Sequence, residues 1–231
     1  MFTNQASTCA APKMRHTKAV AVATLIPVVA GAAVAVSTPA QAADSHQSPQ
    51  TRAASSAAQA KKMRALKVKR SDVFVVGDSL TVGSKQSIRS GLKRQTRSVA
   101  VNAQVGRYTP AGISLLRSGQ AKRAEVWVVA LGTNDGPNAG IAKKNVRKVM
   151  KMAGKRQVVW LTIVRPGKYD RVNTALKQMD RRYSNLTVAD WAQVVKKNKR
   201  LLSGDRVHMT AYGYKVRGKY VAQTVVNVAG R

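Results

Sequence analysis

The sequence predicts an α/β protein built around a parallel sheet. Two observations lead to this prediction: short apolar runs rich in β-branched residues recur from about residue 69, and amphipathic helical segments lie between them. The runs mostly lack polar alternation, which is typical of parallel strands covered by helices on both faces. Strands and helices in alternation predict a single three-layer α/β/α domain with right-handed crossovers.

Five apolar runs are the predicted strands. They cover residues 73–76, 99–101, 126–131, 158–163 and 186–189. The helical pattern is clearest where Val146, Val149 and Met150 share one face and basic residues occupy the other. Ligands of parallel sheets bind beyond the carboxyl ends of the strands, so the residues that follow each run are the candidates for a functional site.

The chain carries a large excess of positive charge. Its 231 residues include 41 Lys+Arg against 9 Asp+Glu, which gives a formal net charge of +32. Such an excess predicts a polyanionic partner. The charge alone does not distinguish nucleic acid, an anionic membrane surface and an acidic cell-wall polymer. The hydrophobic content of 44% excludes a chain that is disordered throughout. The single cysteine excludes an internal disulfide framework.

Residues 1–42 have the composition of a secretory signal peptide. Basic residues precede an uncharged Ala/Val-rich run over 19–36, and Ala40-Gln41-Ala42 matches a cleavage site of the A-x-A type. The alternative is an uncleaved membrane anchor, because a run of 18 residues just reaches spanning length. Translation begins at Met1 or Met14. We expect the protein to be secreted and to be retained at the cell wall by its positive charge.

Residues 43–68 are predicted to be a flexible tether that precedes the folded domain, 69–231. The segment is rich in Ser, Ala and Gln, contains no aromatic residue and ends in a cluster of lysines and arginines. Such a composition buries too little apolar surface to offset the entropy cost of ordering.

A serine follows the first predicted strand, in Gly77-Asp78-Ser79-Leu80. At a turn from strand to helix, the Ser79 hydroxyl would project from the helix N-terminus, where the backbone N–H of Ser79 could bind an oxyanion. The alternative is that Ser79 only caps the helix.

Two further segments follow the second and third predicted strands. The second strand leads to Gly106, and the third to Gly132-Thr133-Asn134-Asp135, in which the Asn134 side chain could donate an N–H into the same crevice. The alternatives are an ordinary turn glycine at position 106 and an ordinary Asn-Asp-Gly turn.

One histidine belongs to the predicted folded domain. His16 lies in the predicted signal peptide and His46 in the predicted tether, which leaves His208. Asp205 precedes it by three residues, so the carboxylate could bond Nδ1 and leave Nε2 free to accept a proton from a serine. A structural histidine is the alternative. Because the predicted folded domain contains one histidine and no cysteine, we expect no metal site and no cofactor.

Together these segments resemble the four sequence blocks of the SGNH, or GDSL, hydrolases, from about Val73 to Val225. The resemblance implies a flavodoxin-like sheet with strand order 2-1-3-4-5. It implies Ser79 as the nucleophile, His208 as the general base and Asp205 as its orienting partner. The oxyanion hole would consist of the N–H groups of Ser79 and Gly106 and the Asn134 side chain.

A narrower resemblance concerns the extracellular SGNH domains of bacterial peptidoglycan O-acetyltransferases. It rests on Val105-Gly106-Arg107, Leu131-Gly132-Thr133-Asn134, Val164-Arg165-Pro166 and Ala189-Asp190-Trp191. Those domains are normally attached to a membrane acyltransferase that supplies acetyl groups.

The resemblance implies an esterase or O-acyltransferase that acts on short acyl esters of cell-envelope glycans. The partners it implies are the ester or glycan substrate and a membrane protein that donates acyl groups, while the charge implies an anionic wall polymer or membrane surface. We expect a monomer, and we expect no nucleic acid as the physiological partner. The alternative from another class is a catalytically inactive, secreted protein that binds polyanions or the cell wall.

Overall fold

The computed structural model describes residues 49–231. The predicted signal peptide and the first residues of the predicted tether lie outside this range. No helix within residues 49–231 combines the length and the apolar character needed to cross a membrane.

A five-stranded parallel sheet forms the centre of the domain. Its strands are β1 (Asp72–Gly77), β2 (Ser98–Ala103), β3 (Val126–Ala130), β4 (Gln157–Leu161) and β5 (Leu186–Ala189). Their order is β2-β1-β3-β4-β5, and all four pairings are parallel. The predicted fold class and the strand order that the resemblance implied are both confirmed.

Helices cover both faces of the sheet. They are α1 (Pro49–Arg70), α2 (Ser79–Lys93), α3 (Thr109–Ser114), α4 (Gly119–Arg123), α5 (Ala139–Ala153), α6 (Tyr169–Asp180), α7 (Trp191–Lys197) and α8 (Ala211–Ala229). Successive residues of β1 point to opposite faces: Val73 and Val75 pack in the same core cluster as α2 and α8, and Phe74 and Val76 in the cluster of α5 and α6. The sheet therefore separates two apolar cores, as a three-layer domain requires.

Helix α1 is the main difference from the sequence prediction. The segment predicted to be a flexible tether is helical from Pro49 to Arg70, although its described side chains are exposed except that of Val68, which joins the core cluster of α8. Ala, Gln, Lys, Leu and Arg are all strong helix formers. The high helix propensity of these residues, which the prediction neglected, accounts for the helix.

Candidate active site

Ser79 is the first residue of α2 and lies directly beyond the carboxyl end of β1. The helix is capped by Asp78, whose Oδ1 accepts the N–H of Leu80 at 3.0 Å. Ser79 is therefore not the N-cap, and its hydroxyl is free for other contacts. Within residues 49–231 the N–H of Ser79 has no hydrogen-bond acceptor, as expected for the first residue of a helix.

The loop before α8 brings His208 and Asp205 to Ser79. His208 Nε2 lies 3.3 Å from Ser79 Oγ, and His208 Nδ1 lies 2.6 Å from Asp205 Oδ2. The imidazole is therefore placed between a hydroxyl and a carboxylate, the order that proton transfer from a serine requires. The side chains of His208 and Asp205 are 46% and 49% exposed, so His208 is not a core histidine.

The Asp205 carboxylate is fixed by donors from its own loop. Its Oδ1 accepts the N–H groups of Val207 at 3.0 Å and His208 at 2.9 Å, and the hydroxyl of Ser203 at 2.8 Å. The hydrogen bond to the His208 ring and these three donors hold the pKa of Asp205 well below its usual range. The carboxylate therefore stays ionised and keeps the imidazole in one orientation.

The ends of β2 and β3 supply the other predicted site residues. Gly106 follows β2 with φ of +74°, and its N–H has no acceptor within residues 49–231. A Cβ at Gly106 would meet open space, so the left-handed backbone is what favours glycine there. Asn134 Nδ2 donates to the carbonyl of Arg107 at 3.1 Å, which places the Asn134 amide against the Gly106 loop. The turn at Gly106 therefore leaves the backbone N–H of Gly106 without an acceptor among residues 49–231.

In the sequence, Arg107 was named only as part of the narrower resemblance. In the structure, its side chain forms several hydrogen bonds that hold this part of the site together. It is 8% exposed, and its Nη1 donates to the carbonyls of Gly77 at 3.0 Å and Asn102 at 2.8 Å. The guanidinium therefore joins the ends of β1 and β2 beneath the Gly106 loop. Burial lowers the pKa of Arg107, and the negative charge of Asp78 opposes this shift.

A second buried arginine, Arg217 of α8, lies against the first turn of α2. Its Nη1 donates to the carbonyl of Leu80 at 3.2 Å and to Ser84 Oγ at 2.8 Å. Burial lowers the pKa of Arg217 to about 10 and raises the pKa of Asp78. The attraction between the two opposite charges reduces both shifts. The burial of these two arginines was not predicted from the sequence, because arginine is ordinarily exposed and this chain is rich in basic residues.

A cavity of about 700 Å³ lies beside the loop that carries His208. Ser203 and Arg206 of that loop form part of its wall, together with residues of α6 and α7. Arg165 also lines it and donates to the carbonyl of Thr133 at 2.6 Å, one residue before Asn134. The cavity therefore borders the His208 loop, and Arg165 connects its wall to the loop of Asn134. Its volume falls in the range of ligand pockets.

No protein-family model matches this chain, and no curated protein sequence matches it. Solved structures do. The C-terminal catalytic domain of peptidoglycan O-acetyltransferase A from Streptococcus pneumoniae, solved with a methylsulfonyl adduct, has a TM-score of 0.56 at 20% identity; the match covers 70% of this chain and 93% of that one.

Two further structures show the same architecture. A protein assigned to the G-D-S-L lipolytic family from Desulfitobacterium hafniense has a TM-score of 0.55 at 17% identity, covering 67% of this chain and 99% of that one. A mutant acetyl esterase with an acetate ion has a TM-score of 0.54 at 15% identity, covering 69% and 98%. At these identities the likeness concerns the fold: the chain has the α/β fold of the SGNH hydrolases.

Proposed function

We propose that this protein is a secreted serine esterase or O-acyltransferase of the SGNH type, acting on short acyl esters of cell-envelope carbohydrate. The observation that carries the proposal is the hydrogen-bonded series from Ser79 through His208 to Asp205 at the N-terminus of α2. The similarity in fold to a peptidoglycan O-acetyltransferase domain and to an acetyl esterase supports acetyl as the acyl group.

The proposed reaction begins with attack of Ser79 Oγ on the acyl carbon. His208 Nε2, 3.3 Å away, takes the hydroxyl proton and then gives it to the oxygen of the departing alcohol. Asp205 stabilises the imidazolium through the 2.6 Å contact with Nδ1. The products of this half-reaction are a free alcohol and an acyl ester on Ser79.

The negative charge that develops on the acyl oxygen would be stabilised by three donors. Two are the N–H groups of Ser79 and Gly106, which have no acceptor within residues 49–231. The third is the Asn134 amide, which uses one N–H for the Arg107 carbonyl and has a second available. The positive end of the α2 dipole adds to this stabilisation.

The acceptor of the acyl group decides which activity results. Transfer to water makes the protein an esterase, and transfer to a sugar hydroxyl makes it an O-acyltransferase. We place the carbohydrate in the cavity beside the His208 loop, because Arg165, which lines that cavity, donates to the carbonyl of Thr133 next to Asn134. A transferase would receive its acyl group from a donor protein in the membrane.

Turnover of p-nitrophenyl acetate by the purified protein tests the proposal, with Ser79→Ala as the inactive variant and Ser90→Ala as the matched control. Ser90 is an exposed serine of the same helix, whose hydroxyl bonds only the Ser87 carbonyl within residues 49–231. We expect Ser79→Ala to abolish turnover and Ser90→Ala to retain it. Adding a muramyl or chitooligosaccharide acceptor separates the activities, since a transferase yields acetylated sugar and an esterase free acetate.

Equal turnover by Ser79→Ala and by the unaltered protein would contradict the assignment of Ser79. No turnover by either, with or without acceptor and with an added membrane fraction as acyl donor, would favour the inactive polyanion-binding protein instead.

A further inference from the structure

A second groove, of about 830 Å³, lies at the opposite end of the sheet from Ser79. One wall is the C-terminal half of α1, and the other is formed by the residues that precede or begin β3 and β4. Ser79, Gly106 and Asn134 all follow the carboxyl ends of strands, whereas this groove adjoins the amino ends. It is therefore separate from the candidate active site.

Basic side chains surround this groove, which we call the α1 groove. Six of them are exposed: Arg64, Lys67, Arg70, Lys122, Arg123 and Lys155. Within residues 49–231 none of the six forms an ion pair. The carboxylate at the groove, Glu125, instead accepts the N–H of Asp72 at 2.6 Å and contacts Arg97 at 3.4 Å.

Like charges around a concave surface repel one another and generate a strong positive potential. Because the groove's own carboxylate is bound elsewhere, an external polyanion is the group that would relieve this repulsion. Binding of such a ligand releases counterions, so its affinity would depend steeply on salt.

The lining also indicates which polyanion fits. Met63 and Leu66 of α1 are 61% and 42% exposed and, with Ala124 and Val126, give the groove an apolar part of its lining. The lining contains no aromatic side chain on which bases could stack, and proteins that bind single-stranded nucleic acid normally provide such platforms. A concave groove can hold one extended polymer chain, whereas a flat bilayer surface cannot enter it.

We infer that the α1 groove binds a linear polyol-phosphate polymer, with phosphodiesters at the basic rim and aliphatic units over Met63 and Leu66. Glycerol or ribitol phosphate chains of the cell envelope have this chemistry. The inference goes beyond the proposed function and does not require Ser79 to be catalytic.

The test compares two variants of the full chain that remove the same charge from two different helices. Arg64→Gln/Lys67→Gln/Arg70→Gln alters the groove, and Lys144→Gln/Lys148→Gln/Lys151→Gln alters the exposed basic face of α5. Gln has nearly the same helix propensity as Lys and Arg, so both helices should persist. Binding to poly(glycerol phosphate), to single-stranded DNA of matched charge and to phosphatidylglycerol vesicles is measured at several salt concentrations.

We expect the groove variant to bind poly(glycerol phosphate) at least about tenfold more weakly than the unaltered protein, and the α5 variant to lose no more than about threefold. We also expect the unaltered protein to prefer this polymer over the DNA. Equal losses in the two variants would overturn the groove as a site, because net charge alone would then explain binding. Tighter binding to DNA or to vesicles would overturn the choice of polymer. The p-nitrophenyl acetate assay reports separately on the proposed function.

Discussion

Ser79 depends for its position on residues from several distant parts of the sequence. Asp78 caps α2, Arg217 holds the carbonyl of Leu80, and Arg107 holds the carbonyl of Gly77. Two buried guanidinium groups therefore bind carbonyls that precede and follow Ser79 in the chain, and the buried Asp78 carboxylate belongs to the same short segment. A nucleophile needs this restraint, since small displacements of the reacting atoms cost large factors in rate.

Asn134→Ala tests the proposed oxyanion donor. We expect kcat for p-nitrophenyl acetate to fall by roughly 10²- to 10³-fold with a smaller change in KM, because the lost hydrogen bond acts mainly in the transition state. Asn227→Ala, an exposed asparagine of α8, is the control. An increase in KM alone, or a large fall in melting temperature that accompanies the loss of activity, would show that Asn134 has a structural role through its contact with Arg107.

Asp78→Asn tests the buried carboxylate through the pH dependence of stability. Burial raises the pKa of Asp78 above its unfolded value of 3.8, so the folded state binds this proton more tightly. The stability that this group contributes is complete below the unfolded pKa and is lost as the pH rises through the folded pKa. Since Asn also caps helices well, we expect the variant to gain stability relative to the unaltered protein on going from acid to neutral pH.

Urea unfolding of both proteins across this pH range measures the difference. Parallel stability curves would show that the pKa of Asp78 is the same in the folded and unfolded states.

At the scale of elements, side-chain caps fix where several helices begin. Asp190 accepts the N–H of Gln193 at the start of α7 and also bonds Thr162 at the end of β4, and Thr210 caps α8 directly after the His208 loop. The cap of α8 and the close packing of α8 on α2 therefore determine how the loop of His208 meets Ser79. Gly218 of α8 lies at this contact, where a Cβ would come 2.3 Å from the Cβ of Ser87 and 3.0 Å from the backbone N of Ile88.

Gly218→Ala tests the α2–α8 packing. We expect a loss of about 1–3 kcal/mol in the free energy of unfolding, because the added methyl group must displace the α2 backbone. Gly136→Ala is the matched control, since a Cβ there meets nothing within 4 Å. Denaturant unfolding measures both. Equal stability of the two variants would show that α8 can shift without cost.

At the scale of the whole molecule, one cluster of positive charge lies at the opposite end of the sheet from Ser79. The six exposed cations of the α1 groove, which form no ion pair within residues 49–231, lie at the amino ends of the strands, while Ser79 and His208 lie beyond the carboxyl ends. A protein with this arrangement can be bound to an anionic polymer at one end and keep its reactive end accessible. We therefore propose that retention at the wall and ester chemistry use opposite ends of one sheet.

The dependence on salt concentration distinguishes polymer binding from ester turnover. Raising NaCl from about 0.05 M to about 0.5 M should weaken binding to poly(glycerol phosphate) by several orders of magnitude, because each neutralised phosphate adds to the salt dependence. Turnover of the neutral ester p-nitrophenyl acetate should change less than about twofold, since screening acts little on a hydrogen-bonded site with an uncharged substrate. A parallel fall in turnover would show that the charge supports the reaction itself.

The strands, their parallel arrangement and the segments that meet at the carboxyl ends could be predicted from the sequence. These features are written in local patterns: β-branched runs such as 126–131, and short motifs such as Gly77-Asp78-Ser79-Leu80 and Asp205-x-x-His208. The motif residues then converge because parallel strands place their carboxyl ends at one edge.

Which basic residues are buried and which line a groove depends on contacts in the folded chain. Nothing local distinguishes Arg107 and Arg217, which are 8% and 3% exposed, from the many exposed arginines. The α1 groove likewise combines α1 with residues near the starts of β3 and β4 and the end of α8. Such contacts join residues far apart in the chain, and burial and pairing of charge depend on those contacts rather than on local sequence.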